Sequence, residues 1–498
     1  MLYAHDSMNT YAPMAYYRSM TREFTPTTYA DIDPDRRPSF RLALVPVLAV
    51  VAFLGIGSAV LGLDPHVPLL WSIVFVGGVG LYVGYEWEEL FEGVANGLLM
   101  GLQALLIIFT IYALIATWIS AGTIPGLMYY GLSVLTPRTF LPAAALLAGV
   151  VAFAIGSSWT TVGTLGVAFV GIGAGLGVPE PMTVGAVISG AYAGDKQSPL
   201  SDTTNLAAGV TNTDLYDHID RMQAGTLLAF GIAVAAFAVL GLRAAGAIPE
   251  GQVAAIQTAL AGTYDVSVLV FLPLLVTFGL ALRGYPALPT LVAGAFAGVA
   301  TTLLLQGAGF VPAWEVFMYG TAPESGSELV NELLASGGLT GSAWTITVVV
   351  AALSLGGLLE RTGVLAVLSH GLVQGIRSPG ALIAGTGFSA IAINALTAQQ
   401  YMSIVLPGVT LRNAYDEFGL DSDQLSRAVE AAGTPTGALF PWHAGAVYMA
   451  GVTGVPTLEY APFYFFGFLS PLVLFGIAAT GITVPDVVYT GTTAPADD

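Results

Sequence analysis

The sequence predicts an all-α polytopic membrane protein with two inverted structural repeats, each containing a re-entrant helical hairpin and a discontinuous helix. Of the 498 residues, 55% are hydrophobic and 9% are charged, whereas an ordinary soluble domain has roughly 25% charged residues. Apolar runs near the length of about 20 residues that a spanning helix needs follow one another from residue 42. Polar interruptions of other apolar runs recur in the same order in both halves of the chain.

The composition also excludes several functional classes. The chain has no cysteine, which excludes disulfides, zinc–thiolate sites, iron–sulfur clusters and cysteine nucleophiles. A formal net charge of −18 argues against nucleic acid as a partner. The sequence contains no phosphate-binding loop, zinc-protease motif or serine nucleophile elbow. We therefore expect a transporter rather than an enzyme, with no cofactor.

The charged residues suggest a saline habitat. All but one of the 14 Lys and Arg residues are arginine, and the exception is Lys196. An acidic surface with so little lysine resembles that of proteins from high salt, where exposed charge is strongly screened.

Residues 1–40 are polar and rich in turn residues, and we expect them to form a mostly disordered N-terminal tail. They contain no apolar stretch of the kind found in a cleavable signal peptide. Arg18, Arg22, Arg36 and Arg37 precede the first span. Because basic residues flank spans on the cytoplasmic side, they favour a cytoplasmic N-terminus.

The membrane region divides into a first half, residues 41–250, and a second half, residues 265–484, followed by a polar C-terminal tail at 485–498. Eight runs are long enough, or nearly so, to cross a bilayer: 42–62, 67–84, 94–121, 225–245, 266–282, 287–308, 343–358 and 461–483. Eight further stretches are apolar but short or interrupted by polar residues: 123–135, 140–155, 161–178, 183–210, 362–376, 380–395, 401–411 and 426–451.

The interruptions form two pairs. We predict re-entrant hairpins near 156–161 and 394–400 and broken helices near 195–205 and 430–437, because each half has these polar islands in the same order. Paired broken segments at corresponding positions indicate an inverted-repeat transporter and the place of its substrate site. The alternative is coincidence, since small and hydroxyl residues also serve close helix packing.

The first broken helix carries two acidic residues, Asp195 and Asp202, inside an apolar region. A carboxylate at bilayer depth is costly, so its presence favours a functional role. Pro199 interrupts the helix between them and leaves backbone groups without helical partners. Together with the carboxylates and with neighbouring hydroxyl groups, these groups would make an oxygen-rich site suited to a hard cation. The alternative is a loop outside the membrane, where both acids would be solvated. The hydroxyl residues are Ser201, Thr203 and Thr204.

Lys196 and Glu430 are the other charged candidates. The Lys196 ammonium would pair with a carboxylate of the other half or act as a proton-linked partner; the alternative is a lysine that reaches the membrane surface. Glu430 precedes Thr434 and Thr436, which flank a proline in a pattern typical of an unwound helix. Glu430 could equally lie at the membrane surface near the start of a helix.

The hairpin islands supply neutral polar groups. Their hydroxyls, amides and free backbone N–H groups could bind an ion or an anion, and the alternative is a packing seam of small residues. The candidates in the first half are Ser157, Ser158 and Thr160. Those in the second half are Asn394, Thr397 and Gln399.

Residues 190–207 closely resemble the most characteristic stretch of the NhaC-type Na⁺/H⁺ antiporter family. The resemblance covers roughly residues 40 to 480 and includes both halves. Shorter matching segments lie at 117–119, 122–125, 129–132, 156–159, 401–408, 425–427, 430, 433–434 and 441–442.

This resemblance implies an inner-membrane secondary antiporter of the ion-transporter superfamily that moves its site by an elevator-like motion. The usual family assignment is Na⁺ out for H⁺ in, although some similar members exchange organic acids such as malate and lactate. The second half departs from the family pattern. Members often have acidic residues where this chain has Gln399 and Ala431, and asparagine where it has His443. These departures leave fewer charged cation ligands in that half.

We therefore predict an antiporter in the cell membrane that exchanges cytoplasmic Na⁺ for external H⁺, with a homodimer as the assembly to consider. The predicted Na⁺ ligands are Asp195, Asp202, Thr203 and Asn205. One alternative is a Na⁺- or H⁺-coupled exchanger of organic acids or amino acids, whose carboxylate would be held at the N-termini of half-helices. The other is a membrane sensor that transports nothing.

Overall fold

A computed structural model describes residues 27–244 and 251–481. These residues are almost entirely helical, with one isolated bridge between Thr321 and Ser336. Eight helices are long and apolar enough to cross a membrane, or ten if each of two bent pairs is counted as one span. The prediction of an all-α polytopic membrane protein is confirmed. The predicted C-terminal tail at 485–498 lies outside the described residues.

The first half begins with a short 3₁₀ turn (Tyr29–Asp31). It then contains α1 (Phe40–Leu54) with a π-helical continuation (Gly55–Val60), α2 (His66–Val83), α3 (Trp87–Met100), α4 (Leu102–Ser120), α5 (Thr123–Val134), α6 (Pro137–Ile155), α7 (Ser158–Thr161) with a π-helical continuation (Val162–Gly166), α8 (Val167–Gly175), α9 (Glu180–Asp195), α10 (Asp202–Thr211) and α11 (Leu215–Ala244).

The remaining elements are α12 (Gln252–Thr263), a 3₁₀ turn (Val268–Phe271), α13 (Leu272–Ala281), α14 (Ala287–Leu305), α15 (Phe310–Tyr319), α16 (Glu328–Leu333), α17 (Gly338–Gly341), α18 (Ala343–Arg361), α19 (Val364–Gln374), α20 (Pro379–Thr397), α21 (Gln400–Thr410), α22 (Arg412–Glu417), α23 (Ser422–Thr436), a 3₁₀ turn (Gly437–Leu439), α24 (Ala444–Thr453), α25 (Thr457–Tyr460), a 3₁₀ turn (Ala461–Phe463) and α26 (Phe465–Thr480).

Some predicted runs are divided differently in the structure. The run 94–121 is two helices, α3 and α4, that meet at Gly101, where a Cβ atom would lie 2.1 Å from the Leu353 side chain of α18. The runs 266–282 and 461–483 each belong to a bent helix pair, with bends of 84° and 54°. Conversely, α6 and α20 are long enough to span a membrane, although the sequence suggested shorter segments. Each helix is longer than expected because it begins at its proline.

The two halves repeat the same order of elements. The helices α4 and α18 each have 19 residues and are followed by a glycine with positive φ, Gly122 at 79° and Gly363 at 72°. Next come two more 19-residue helices, α6 and α20, and further on two 10-residue helices, α10 and α24. The paired interruptions predict such an order, and that the two halves are structural repeats stays a prediction. The opposite orientation of the two halves stays a prediction.

The broken helix of each half contacts the hairpin of the other. Helix α10 packs against α21 and α23, and α24 packs against α7 and its π-helical continuation. In the second of these contacts the Trp159 and Tyr448 rings stack with centroids 4.5 Å apart, and the Tyr448 hydroxyl donates to the Trp159 carbonyl at 2.7 Å. The ends of four discontinuous elements are therefore brought together in the interior.

Helices α6 and α9 approach each other unusually closely. A Cβ atom on Gly190 would lie 1.9 Å from the carbonyl oxygen of Ala145, and one on Gly194 would lie 2.0 Å from that of Gly149. Only glycine permits this backbone contact, which is the small-residue packing typical of membrane helices. Because Asp195 follows Gly194 directly, the contact positions the end of α9.

The described part of the N-terminal segment packs against the helices, contrary to the expected disordered tail. The Thr27 amide donates to Glu360 at 2.7 Å, and the ring of Tyr29 stacks on that of His370 with centroids 3.9 Å apart. Ile32 is buried, and the Arg37 guanidinium lies 4.0 Å from the Tyr29 ring centroid. Tyr29 and Ile32 thus make packing contacts that the polar composition of residues 1–40 does not predict.

Candidate functional site

The two helical hairpins turn in the same way. Helices α6 and α20 both end at a residue with positive φ, Gly156 at 73° and Ala398 at 54°. The next residues, Ser157 and Gln399, are extended, and the side chain of each accepts an amide N–H of the following helix. Each turn therefore starts a new helix N-terminus inside the protein, with partial positive charge directed at the site.

The first broken helix is interrupted between α9 and α10. Asp195 is the last residue of α9, and Asp202 is the first of α10. Within the connecting segment, Ser201 caps α10 by accepting the Thr204 amide. The Asn205 side-chain amide donates to the carbonyl oxygens of Pro199 and Ser201 at 2.9 and 2.6 Å. The free backbone groups expected around the proline are thus partly paired by Asn205.

The second interruption lies further along the chain than the sequence suggested. Helix α23 continues through Pro435 to Thr436, and the break occupies residues 437–443. Phe440 has an extended conformation with ψ of 116°. It precedes Pro441, and a proline disfavours the helical conformation of the residue before it. The interruption therefore contains Pro441, whereas Pro435 lies inside α23.

Asp195 connects the first broken helix to the first hairpin. Its side chain is buried, and Oδ2 accepts the backbone N–H of Ser158 at 3.0 Å, at the N-terminus of α7. The other oxygen, Oδ1, has no hydrogen-bond partner among the described residues. One carboxylate oxygen therefore holds the hairpin while the second remains available to a ligand.

Asp202 is exposed and connects the first half to the second hairpin. Its Oδ1 accepts the amide of Thr203 at 2.9 Å, and its Oδ2 accepts the hydroxyl of Tyr401 at 2.5 Å. The two acids of the first broken helix thus differ, since one is buried and the other lies at an opening.

Glu430 is fully buried in the protein, and its role in the site stays a prediction. Its Oε1 accepts the hydroxyl of Thr203 at 3.1 Å, which in turn lies 3.2 Å from the hydroxyl of Ser201. Its Oε2 has no partner among the described residues. Helix α23 therefore contributes a carboxylate to the break in the first half.

Lys196 is also fully buried in the protein. Its Nζ donates to the hydroxyl of Ser470 on α26 at 2.9 Å, and that hydroxyl donates to the Ala431 carbonyl at 2.7 Å. The Phe466 ring centroid lies 5.5 Å from Nζ.

Asn394, in the neutral island of the second half, takes part in a hydrogen-bond network with α23 and His443, while Nε2 of Gln399 has no partner among the described residues. The Asn394 amide nitrogen donates to the Gly433 carbonyl and to the Thr436 hydroxyl, the latter at 3.0 Å. Nε2 of His443 lies 3.1 Å from the Asn394 side-chain oxygen, and Nδ1 accepts the Gly445 amide at 2.9 Å. Because Nδ1 accepts, His443 is a neutral imidazole that donates through Nε2 and caps α24.

The other predicted hydroxyls divide into two groups. Thr397 donates to the carbonyl of Ile393 in its own helix at 2.8 Å. Thr160 and Thr204 are buried, and their hydroxyls have no partner among the described residues. Thr434 is likewise buried, one helical turn after Glu430. The unpartnered hydroxyls are the ones available to a ligand.

Two residues of the site were missed in the sequence. Ser470 lies in a run that was assigned to a simple span, where a serine next to a proline was the available signal. Tyr401 lies in a segment that matches the family, which was the available signal. Both contact residues about 200 or more positions away in the chain.

The cation ligand set predicted from sequence stays a prediction. Among residues 27–244 and 251–481, no group of three or more His, Asp or Glu could hold a metal ion. Na⁺ as a cargo would therefore depend on hydroxyl and carbonyl oxygens around the carboxylates, which suits a hard cation.

A crevice of about 360 Å³ opens between α11, α23 and α26. An ion pair between Arg221 and Asp423, 2.7 Å apart, lies among its lining residues. An adjoining smaller cavity shares Gly225 with the crevice and extends to Ala431 and Ser470, the residues that hold Lys196. The crevice thus approaches the site from a direction other than that of Asp202.

We expect Gly225→Cys to react with a charged, membrane-impermeant thiol reagent added to both sides. The chain has no cysteine of its own, so the introduced thiol is the only group in the variant that the reagent labels. Gly231→Cys on the same helix is the matched control, since Gly231 is exposed outside the crevice and its Cβ would have no neighbour within 4 Å. Equal labelling of the two variants would contradict a water-filled crevice.

The sequence matches the Na⁺/H⁺ antiporter family over residues 36–195 and 190–482. The chain belongs to that family. The resemblance noted in the sequence is thereby confirmed, and the protein is a multi-pass membrane protein related to transporters.

Relatives within the family carry different names. The chain is 53% identical over 463 residues to the arginine/ornithine antiporter ArcD of Halobacterium salinarum, covering 92% of this chain and 96% of that protein. It is 38% identical to the Na⁺/H⁺ antiporter NhaC of Alkalihalophilus pseudofirmus, with 89% and 96% covered. It is 35% identical to a malate-2H⁺/Na⁺-lactate antiporter of Bacillus subtilis, with 80% and 85% covered. Family membership alone therefore leaves the cargo open.

Proposed function

We propose that the protein is a secondary antiporter that exchanges arginine for ornithine across the cell membrane. The observation that carries this proposal is the 53% identity, over 92% of the chain, to a protein named as an arginine/ornithine antiporter. The identity to a Na⁺/H⁺ antiporter is lower, at 38% over 89% of the chain. An amino-acid exchanger was one of the alternatives left open by the sequence.

The charges at the site support a cationic amino acid as cargo. The site contains three carboxylates, those of Asp195, Asp202 and Glu430, and one ammonium, that of Lys196, so its acidic groups outnumber its basic one. Arginine and ornithine carry a cationic side chain that carboxylates attract. Their α-carboxylate needs a donor, and the hydroxyls of Thr160, Thr204 and Thr434, which have no partner among the described residues, can donate to it.

Exchange follows from the cost of moving a buried charge. Without cargo, the unpartnered carboxylate oxygens of Asp195 and Glu430 would cross the membrane uncompensated. Arginine and ornithine have the same net charge, so either one compensates the site equally. The loaded carrier therefore crosses in both directions while the empty carrier is held back, because a ligand shifts only the states that it binds differently. We expect the two hairpins and broken helices to move together in an elevator-like motion.

A second candidate is the exchange of cytoplasmic Na⁺ for external H⁺. It is favoured by the oxygen-rich break between Asp195 and Asp202 and by the NhaC relative. In this case each carboxylate would alternate between a Na⁺-bound and a protonated state. Thr203 and Asn205 would add neutral oxygens.

The test is uptake of labelled arginine into proteoliposomes in KCl buffer, with or without ornithine inside. We expect uptake to require internal ornithine, and we expect Asp202→Asn to slow it at least about tenfold, because one charged contact to the cargo is lost. Asp416→Asn is the matched control, since Asp416 is exposed on α22, away from the site.

Other outcomes would separate the alternatives. Arginine uptake could be independent of internal ornithine, and Na⁺ could drive proton movement in liposomes containing a pH dye. These two results together would replace the proposal with Na⁺/H⁺ exchange. No flux of either kind, from folded protein, would favour a membrane sensor that transports nothing.

A further inference from the structure

We infer that Lys196 is a built-in counter-cation that sets how many positive charges the cargo must bring into the site. This inference rests on the proposed function only in that the cargo is a cation. It assigns to the lysine a role in specificity, distinct from carrying a proton.

The contacts of Lys196 hold its ammonium against α23, next to the backbone of Glu430. Through the Ser470 hydroxyl it is tied to the carbonyl of Ala431, the residue that follows Glu430 on α23. Glu430 and Asp195 are the acidic residues whose charges act on the ammonium. Since Lys196 also follows Asp195 in the chain, one cation is shared between the two halves.

The single positive charge of Lys196 can neutralise only one of the two buried carboxylates. Oδ1 of Asp195 and Oε2 of Glu430 both lack a hydrogen-bond partner among the described residues. The buried set of Asp195, Lys196 and Glu430 therefore has a net charge of −1. Asp202 is exposed and lies outside this buried set, and its carboxylate accepts the Thr203 amide and the Tyr401 hydroxyl.

Other ionisable groups nearby do not change this balance. Arg427 on α23 interacts with Arg221 and Asp423 at the crevice. His218 faces Lys196 and is buried, with Nδ1 2.9 Å from the Ser426 hydroxyl and no partner for Nε2 among the described residues. A charged imidazole would need partners for both nitrogens, so His218 is counted as neutral.

A net charge of −1 requires one positive charge from the cargo. Leaving a buried charge unpaired costs several kcal/mol, which penalises a crossing with too few or too many positive charges. Arginine and ornithine each bring a net charge of +1. With Lys196 neutralised the buried set would have a charge of −2, and with Glu430 neutralised it would have none.

The test compares Lys196→Met, Glu430→Gln and the double variant in exchange against internal ornithine. We expect each single variant to slow arginine exchange at least about tenfold and the double variant to recover to within about threefold of wild type, because its net charge is again −1. Glu459→Gln is the matched control, since Glu459 is exposed in the same half.

A neutral probe separates charge balance from a structural role. Citrulline has nearly the shape of arginine without its side-chain charge. We expect Glu430→Gln to shift the ratio of citrulline to arginine uptake upward at least about tenfold, and the double variant to reverse the shift. The citrulline ratio requires only that Glu430→Gln folds, which thermal unfolding in detergent checks. The ratio therefore still tests the inference if Lys196→Met does not fold.

The inference is overturned if the double variant is slower than either single variant, or if Glu430→Gln folds and leaves the citrulline ratio unchanged. If the wild type moves Na⁺ and H⁺ instead of arginine, the proposed cargo fails. The same three variants are then compared by Na⁺-driven proton movement, where recovery in the double variant still supports the counter-cation.

Discussion

Asp195→Asn is expected to lower exchange at least about a hundredfold, the largest effect of any single neutral substitution in the site. Asp195 combines two roles, since its Oδ2 accepts the Ser158 amide of the hairpin and its Oδ1 is open to a ligand. Loss of a charge-assisted hydrogen bond together with loss of the cargo's counter-charge amounts to about 3 kcal/mol, or roughly a hundredfold in rate. Glu430→Gln should be milder, because Glu430 accepts from a hydroxyl and anchors no hairpin.

The measurement is the initial rate of labelled arginine uptake into ornithine-loaded proteoliposomes, normalised to the amount of folded protein. Asp416→Asn is again the control for a lost surface carboxylate. If Asp195→Asn retained more than half of the wild-type rate, Asp195 would be a structural residue, and both the hairpin contact and the charge count would need revision.

The second large effect concerns folding rather than transport. Gly190→Leu is expected to lower the free energy of unfolding by at least about 3 kcal/mol, because overpacking an interior typically costs about 1–3 kcal/mol and here even the Cβ atom meets backbone. That Cβ would lie 1.9 Å from the Ala145 carbonyl oxygen. A carbonyl on a neighbouring helix cannot rotate away as a side chain can, so α6 and α9 would have to separate.

Thermal unfolding in detergent, followed by the loss of monodisperse protein, measures this effect. Gly231→Leu on α11 is the matched control, because its Cβ would have no neighbour within 4 Å. A leucine there adds helix propensity at no steric cost and should leave stability unchanged or slightly raised. Equal stability of the two variants would contradict the close contact between α6 and α9.

Much of the fold could be predicted because hydropathy and proline placement are local signals. The apolar runs became helices, and Pro137 and Pro379 mark the starts of two of them. The turns at Gly156 and Ala398 lie within or beside the polar islands that suggested hairpins. The recurrence of islands in both halves is also readable from sequence, since it compares one part of the chain with another.

The second break shows where a local signal was ambiguous. The sequence suggested that Pro435 interrupts the helix, but Pro441 lies six positions further on and could do so equally. Helix α23 accommodates Pro435 near its end, where the loss of one amide donor matters little. Pro441 controls the break because Phe440 before it takes an extended conformation.

By itself, the sequence determined that this protein is a membrane antiporter of helical hairpins and broken helices, since composition, periodicity and family motifs are properties of the chain. Only the tertiary structure decided which charges meet. It buries Glu430 beside Thr203, 227 positions away, and ties Lys196 to Ser470, 274 positions away. Such pairings depend on how helices pack across the two halves, and no spacing within one helix encodes them.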